Sequence, residues 1–265
     1  MAEPAGVGSG DGEEGGPPRA PHEHDRARPG GGTRLGTPRL HLRSCDSTNE
    51  RARALALAGA PHGTLVSAEW QSAGRGRHGR SWLAPPGACL LCSVLLRGEH
   101  APPTTVLPLI AGVAVCDAIG DGTRLKWPND VVLGEALSKV AGILVEGRPQ
   151  GAWAVVGIGV NVALDPQDAP PEIRSRAASL RRPVSAVEPL LAELLAALQS
   201  RLEEPVARAL ERWRALDALR GREVAWADGR GAAEGIDDDG RLLVRLGGGE
   251  QAALSAGDVH LSAAG

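Results

Sequence analysis

Alternation with a period of two dominates the middle of the chain. GACLLCSVLLR (87–97), SKVAGILVEG (138–147) and GAWAVVGIGVNVA (151–163) are apolar runs bounded by glycine or charge, the pattern of strands buried in a sheet. Shorter strands are predicted near Leu40, in GTLVSAEWQ up to Trp70, and on both sides of the turn in TRLKWPNDVVL (123–133). Elsewhere the period lengthens. Ser47 with Glu50 three residues on is a capping-box arrangement, opening a helix that stops at Gly59. From Thr104 to Ile119 an Ala- and Val-rich stretch with Pro108 in its first turn predicts a buried helix. Val187, Leu190, Leu191, Leu194, Leu195, Leu198 and Leu202 recur at the spacing of a core-facing helix, and a second helix runs from about Pro205 to Leu219. After Gly221 the period returns to two. REVAWAD, GAAEGI, GRLLVRL and EQAALSAG are short strands between Gly and Asp turns, with DDDG (237–240) a hairpin signal. A small β-barrel is the expected result.

The expected organisation is a tail over residues 1–38, an α/β domain over 39–219 and the barrel over 220–265. The tail is Gly, Pro, Ala and mixed charge without apolar periodicity, a composition that predicts disorder. His22 and His24 within it have no further metal ligands nearby. No internal repeat is visible.

Composition sharpens this picture. Hydrophobic residues are 42% of the 265, enough for a sizeable core, and with no Phe or Tyr that core must be Leu, Val and Ala. A net charge of −3 argues against a general nucleic-acid binder held by phosphate contacts. Cys45, Cys89, Cys92 and Cys116 are too few and too scattered for a disulfide framework. Cys89 and Cys92 point to opposite faces of one strand, which is poor zinc geometry. With no leader-like N-terminus and no apolar run near the length of a membrane helix, a soluble cytoplasmic protein is expected. Only two of the 29 basic residues are lysines, Lys126 and Lys139, and the only asparagines are Asn49, Asn129 and Asn161. In a chain this rich in Ala, Gly, Arg and Pro, a Lys or Asn that persists does something Arg, Asp or Ser cannot. All five fall in short motif-like stretches.

One of the chain's motif-like stretches, GRGRHGRS (74–81), imitates a P-loop. A P-loop needs a helix directly after its last glycine, whose N-terminus helps hold the phosphates. Here the next residues are SWLAPPG, whose prolines and glycine forbid that helix, and the P-loop lysine is missing. What remains is a glycine-spaced loop carrying Arg75, Arg77, His78 and Arg80. Like charges this close repel, so an anion is needed to gather them, and arginine's planar fork suits carboxylate or phosphate. A solvated basic turn is the plain alternative.

DSTNE (46–50), QSAGRGRHGRSW (71–82), KWPNDV (126–131), KVAGILVE (139–146) and GIGVNVA (157–163) stand in one order along the chain. Together they resemble the biotin protein ligases, over about residues 40 to 262, and more closely the ligase-only members without an N-terminal DNA-binding domain. The resemblance implies an α/β (α+β) fold: a catalytic domain like that of class II aminoacyl-tRNA synthetases, with a mixed sheet and flanking helices, and a small SH3-like β-barrel. It implies ATP and biotin as substrates with Mg²⁺, a biotin carboxyl carrier protein domain as partner, neither nucleic acid nor membrane, and a monomer or homodimer. Biotin contacts are implied for Ser47, Thr48, Asn49, Gln71, Gly74, Arg75, Gly76, Arg77, Lys139, Gly142 and Gly159. The ATP side is implied for Arg75, Arg77, Arg80, Trp82, Lys126, Asn129, Asp130, Lys139 and Asn161. Two departures are His78 within the arginine loop and the extra-looking GEALS before Lys139.

The residues suit that chemistry. Biotin's carboxylate is already ionised at neutral pH, so the first step needs cations that bring two anions together, not a base. Lys139, Arg75 and Arg77 are the candidates. The second step is attack by a partner's lysine, and Asp130 is the candidate base; a turn cap in PND is its plain alternative. The ureido ring needs converging hydroxyl and amide groups, which Ser47, Thr48, Asn49 and Gln71 offer. A lipoyl dithiolane would leave those groups unpaired, at ~1–3 kcal/mol each; a lipoate-type ligase on the same fold is the nearest competing reading. An anion- or nucleic-acid-binding module built on the arginine loop is another, against which stand the acidic balance and the lack of an aromatic residue inside the loop. Gly157 and Gly159 in a buried strand require a close approach, by a ligand or by a helix. Trp127 and Trp153 read as core. The sheet edge and the region around Trp226 offer surfaces for a second copy or for the carrier.

Overall fold

The long apolar runs form the middle of a seven-stranded mixed sheet in the computed structural model, which describes Met1 and residues 34–98, 102–148, 153–165, 167, 171–255, 257 and 259–261. Most of the expected tail, with His22 and His24, lies outside the described residues. Strand β1 (Arg39–Leu42) leads into helix α1 (Thr48–Leu57), followed by β2 (Leu65–Ala68), β3 (Cys89–Arg97) and helix α2 (Leu107–Ile119). Strands β4 (Thr123–Lys126), β5 (Asp130–Leu133), β6 (Ser138–Arg148) and β7 (Trp153–Asn161) come next, then one helical turn, α3 (Pro171–Arg174), and helices α4 (Val187–Glu203) and α5 (Val206–Ala215). The sheet order is β1-β2-β3-β7-β6-β5-β4. Only β1 and β2 run parallel; every other pair is antiparallel.

Side chains two apart on a strand share a face, and this rule decides where the site sits. Val156, Ile158 and Val160 of β7 join Val94 and Leu96 of β3 in the main core, under α2. Gly157, Gly159 and Asn161 alternate with them and so face the other way; Gly157 and Gly159 lie across from Ser93 and Leu91. One end of that second face is covered by α1, whose Ala52 and Ala56 pack on Leu95 and Val155. The glycine end is left for the site. On the first face α2 is buried on nearly every side because it is apolar all round, lying between the sheet and helices α4 and α5. Trp127 and Trp153 are both core residues.

The C-terminal strands β8 (Glu223–Trp226), β9 (Gly229–Ile236), β10 (Leu242–Arg245), β11 (Gln251–Leu254) and β12 (His260–Leu261) form a five-stranded sheet in the order β11-β10-β9-β8-β12. All its pairs are antiparallel. It shares the main core through Val224, Ala233, Leu242 and Val244. The Trp127 indole N–H donates to the Gly240 carbonyl at 3.0 Å across the junction.

The expected capping box does not form. Ser47 does occupy the cap position, with extended backbone, but its side chain makes no cap hydrogen bond. Its backbone N–H, the group Glu50 was expected to satisfy, donates instead to Asp46 Oδ1 at 2.7 Å. Glu50 turns outward to Arg53 at 2.7 Å and Arg75 at 3.3 Å. A pair within the helix, a pair to the arginine loop and the neighbouring Asp46 carboxylate have displaced the capping box.

All four cysteines are free, and all but Cys45 are buried. Burial pushes Cys89 and Cys92 up to about 12 and Cys116 up to about 11. Since the thiolate is the nucleophile, an alkylating reagent at pH 8 is expected to modify the native protein only at Cys45, and slowly, because burial raises that thiol as well. Mass spectrometry after unfolding in the same reagent should show all four labelled; fast native labelling of Cys89 or Cys92 would contradict the packing.

Candidate active site

The glycine end of the sheet opens into a cavity of about 970 Å³. Its floor is β7 and β6, with Gly142 paired to Gly159. One wall is the start of α1, another is the 71–85 segment, and a third is the β4–β5 turn. Every residue the family resemblance implied lines this cavity except Gly74. A β-carbon on Gly74 would overlap the Trp82 carbonyl and sit 3.0 Å from Gln71 Nε2. That glycine is required by the loop's own closure, where Trp82 N–H donates to Gly74 O at 2.9 Å.

Ser47, Thr48 and Asn49 are buried at the helix start. Thr48 N–H donates to Gln71 Oε1 at 2.7 Å, tying helix to loop. Ser93 Oγ lies 2.8 Å from Thr48 Oγ1 and 2.7 Å from Asn49 Oδ1. A serine hydroxyl has one proton and an amide oxygen only accepts, so Ser93 donates to Asn49 and accepts from Thr48. Asn49 Nδ2 then donates to Leu144 O at 3.2 Å and Glu146 Oε2 at 2.8 Å. The amide fills the space above Gly157, where a β-carbon would overlap it. Helix packing thus explains Gly157, one of the two readings of that glycine.

Gly159 and Gly142 have a different neighbour. β-Carbons there would stand 2.7 Å and 3.0 Å from the Trp82 ring, which sits against both strands. Lys139 Nζ is 5.6 Å from that ring's centroid and 2.6 Å from Asp130 Oδ1. Lysine and carboxylate are brought together because β5 and β6 pair, Val132 opposite Lys139 and Asp130 opposite Gly142, with a bulge between. A crossing segment fixes the Lys139 backbone on its other side: its N–H donates to Arg176 O at 2.6 Å and its carbonyl accepts from Ala178 N–H at 2.7 Å.

The arginine loop is a short hairpin. Arg75 pairs with Ser81 across it, Gly76 N–H donates to Arg80 O at 2.6 Å, and His78 turns the tip at φ 52°. Positive φ is uncommon for a non-glycine residue, though histidine is among those that tolerate it. The other departure, GEALS, is accommodated as a turn with Leu137 at φ 51°. Arg75 reaches Glu50 at 3.3 Å and Glu146 at 3.0 Å. Arg53, with help from Arg75, holds the Glu50 carboxyl below its ordinary range. Arg77 donates to Asn129 Oδ1 at 3.2 Å and Gly257 O at 3.5 Å. Asn161 donates to Ala178 O at 2.8 Å, so its amide holds the crossing segment at the cavity's end. Arg176, Val259 and His260 also line the cavity, and no motif in the sequence marked them.

Among the described residues no group of three or more His, Cys, Asp or Glu is placed to hold a metal ion, and no helix is long and apolar enough to cross a membrane.

A polar cluster, a lysine–aspartate pair and a loop of arginines around one cavity describe an anion-activating site on a mixed sheet. Residues 42–162 match the biotin/lipoate A/B protein ligase family and residues 220–262 match the biotin protein ligase C-terminal domain. The chain is 38% identical over 236 residues to the biotin–[acetyl-CoA-carboxylase] ligase of Mycobacterium tuberculosis, covering 81% of this chain and 86% of that protein. It is 36% identical over 200 residues to the bifunctional ligase/repressor BirA of Escherichia coli, covering 69% of this chain but only 61% of BirA. The structure of the Aquifex aeolicus biotin protein ligase in complex with biotin and ATP superposes with a TM-score of 0.72, at 29% identity, over 85% of this chain and 99% of that one. The chain belongs to the biotin protein ligase family.

Proposed function

We propose that this chain activates biotin with ATP, forming biotinyl-5′-AMP and pyrophosphate, and transfers the biotinyl group to a lysine of a biotin carboxyl carrier protein. The observation that carries this reading is the shared cavity: Lys139, the loop arginines and the Thr48–Gln71 cluster all line it. The Thr48 N–H holds Gln71 Oε1, leaving the Thr48 hydroxyl oxygen to accept from the ureido ring and the Gln71 amide nitrogen to donate to it. Lys139, Arg75 and Arg77 offset the repulsion between the biotin carboxylate and the α-phosphate, so that catalysis is largely positioning plus electrostatics. The hairpin shields the mixed anhydride from water. The Trp82 ring, Asn129 and Lys126 stand on the nucleotide's side.

Mg²⁺ fits this site only in company with the nucleotide. Asp130 is the carboxylate that faces the cavity beside Lys139, and magnesium is held by one or two carboxylates together with substrate phosphates. Its role when bound is to shield phosphate charge.

The finer architecture belongs to the same proposal: a synthetase-like catalytic domain over residues 39–219 and an SH3-like barrel over 220–265, working in the cytoplasm as a monomer or homodimer. The decisive measurement is ATP–pyrophosphate exchange. Biotin should drive it and lipoate should not; exchange driven by lipoate alone, or by neither acid, would overturn the proposal.

A further inference from the structure

Glu146 belongs to no contact that the resemblance implied, yet two parts of the site meet on it. It follows Gly142 and Leu144 at two-residue spacing on β6, so it faces the same side as the cavity floor. Its carboxylate is reached by Asn49 Nδ2 at 2.8 Å and by Arg75 at 3.0 Å. Its side chain is 23% exposed, screened from bulk water more than the 47%-exposed Arg75 it binds.

The proton order through the buried cluster ends here. Thr48 donates to Ser93, Ser93 to Asn49 Oδ1, and the Asn49 amide is left to donate to Glu146. An ionised carboxylate is the acceptor that makes this order favourable, and the same carboxylate binds the guanidinium of the loop. Glu50 takes the second edge of that guanidinium, so Arg75 is held between a helix and a strand.

We infer that Glu146 is a positioning residue: its carboxylate orients Asn49 from one side and docks the arginine loop through Arg75 from the other, so that the polar cluster and the lid are held by one group. This inference rests on the ligase reading for its kinetic consequence but not for its structural one. Docking means the loop needs less ordering when biotin binds, which acts on the biotin KM and not on the chemical step.

Glu146→Gln keeps an acceptor for Asn49 and removes the charge facing Arg75; Glu146→Ala removes both. Limited trypsin digestion of the full-length, biotin-free protein reads the loop directly, because cleavage after Arg77 and Arg80 requires it to open. Cleavage there is expected to quicken about fivefold in Glu146→Gln, the scale of a partly exposed ion pair, with a melting temperature close to that of the parent. In pyrophosphate exchange the same variant should raise the biotin KM about fivefold with kcat little changed. Glu146→Ala should be more severe, since Asn49 also loses its acceptor. Arg75→Gln, which leaves Glu146 bonded to Asn49, must show the same faster cleavage after Arg77 and Arg80 even if Glu146→Ala fails to fold. Parental cleavage rates in Glu146→Gln and Arg75→Gln, or a loss confined to kcat, would overturn the inference while the ligase reading stands. A parent protein without biotin-dependent exchange would remove the ligase reading, and the digestion would still decide whether Glu146 docks the loop.

Discussion

Lys139→Ala should slow biotin-dependent pyrophosphate exchange by about 10³-fold, the upper range for losing one preorganised electrostatic group. The fold should survive, because the Lys139 side chain is 36% exposed and its ion pair with Asp130 is of the partly solvated kind that contributes little to stability. The loss would therefore lie in chemistry. Lys139 Nζ is held on three sides, by Asp130 Oδ1 at 2.6 Å, by the Trp82 ring and by the bare backbone at Gly142, where a β-carbon would approach it to 2.9 Å. Such a held point charge differs from a guanidinium, which is larger, planar and bidentate. Lys139→Arg should thus recover only a small part of the activity, despite keeping the charge. Exchange kinetics on the two variants, with melting temperatures alongside, test this. An alanine variant retaining more than a tenth of the activity would show that the lysine is not the cation on which the first step depends.

How far the site could be read from the chain alone follows a physical boundary. The strand in GAWAVVGIGVNVA was plain from its apolar run and is observed over Trp153–Asn161; which of its faces carries the core became visible only in the sheet. The buried helix expected from Thr104 to Ile119 was equally plain and runs over Leu107–Ile119, because an apolar surface all round leaves it no solvent face. Local motifs misled where other partners were stronger. Ser47 and Glu50 have the spacing of a capping box, but Arg53 and Arg75 claim the carboxylate. Ser93 was not singled out within CLLCSVLL, and its place between Thr48 and Asn49 is visible only when β3 lies beneath α1. Glu146 stood inside a motif already noticed, yet its partners Asn49 and Arg75 are 97 and 71 positions away in sequence. Contacts at such separations are set by sheet order, which no window of residues encodes. The same holds for Val259 and His260, brought to the cavity by a C-terminal sheet whose core is continuous with the rest.

The pairing of Lys139 with Asp130 also changes what Asp130 can do in each step. On the proposed mechanism, biotin's carboxylate and the α-phosphate would compete with Asp130 for Lys139, leaving the Asp130 carboxylate free to take a proton in the transfer step. The order of the two half-reactions would then be built into one exchange of partners.

Asp130→Asn separates these roles. Asparagine keeps the shape and leaves a neutral oxygen beside Lys139, so adenylate formation should fall only several-fold, by the weakening of one charged contact. It cannot take a proton from the incoming lysine. With a reference pKa near 10.4, roughly one such lysine in 2,500 is neutral at pH 7, and a lost base of this kind costs on the order of 10²-fold. Transfer from purified biotinyl-5′-AMP to a carrier domain, measured in a single turnover, should therefore drop about 10²-fold further than pyrophosphate exchange does. The sign with pH follows from the same reasoning. Each unit above pH 7 supplies about ten times more neutral lysine without help, so the deficit in transfer should narrow towards pH 9. Equal losses in the two half-reactions, unchanged by pH, would assign Asp130 solely to holding Lys139 in place.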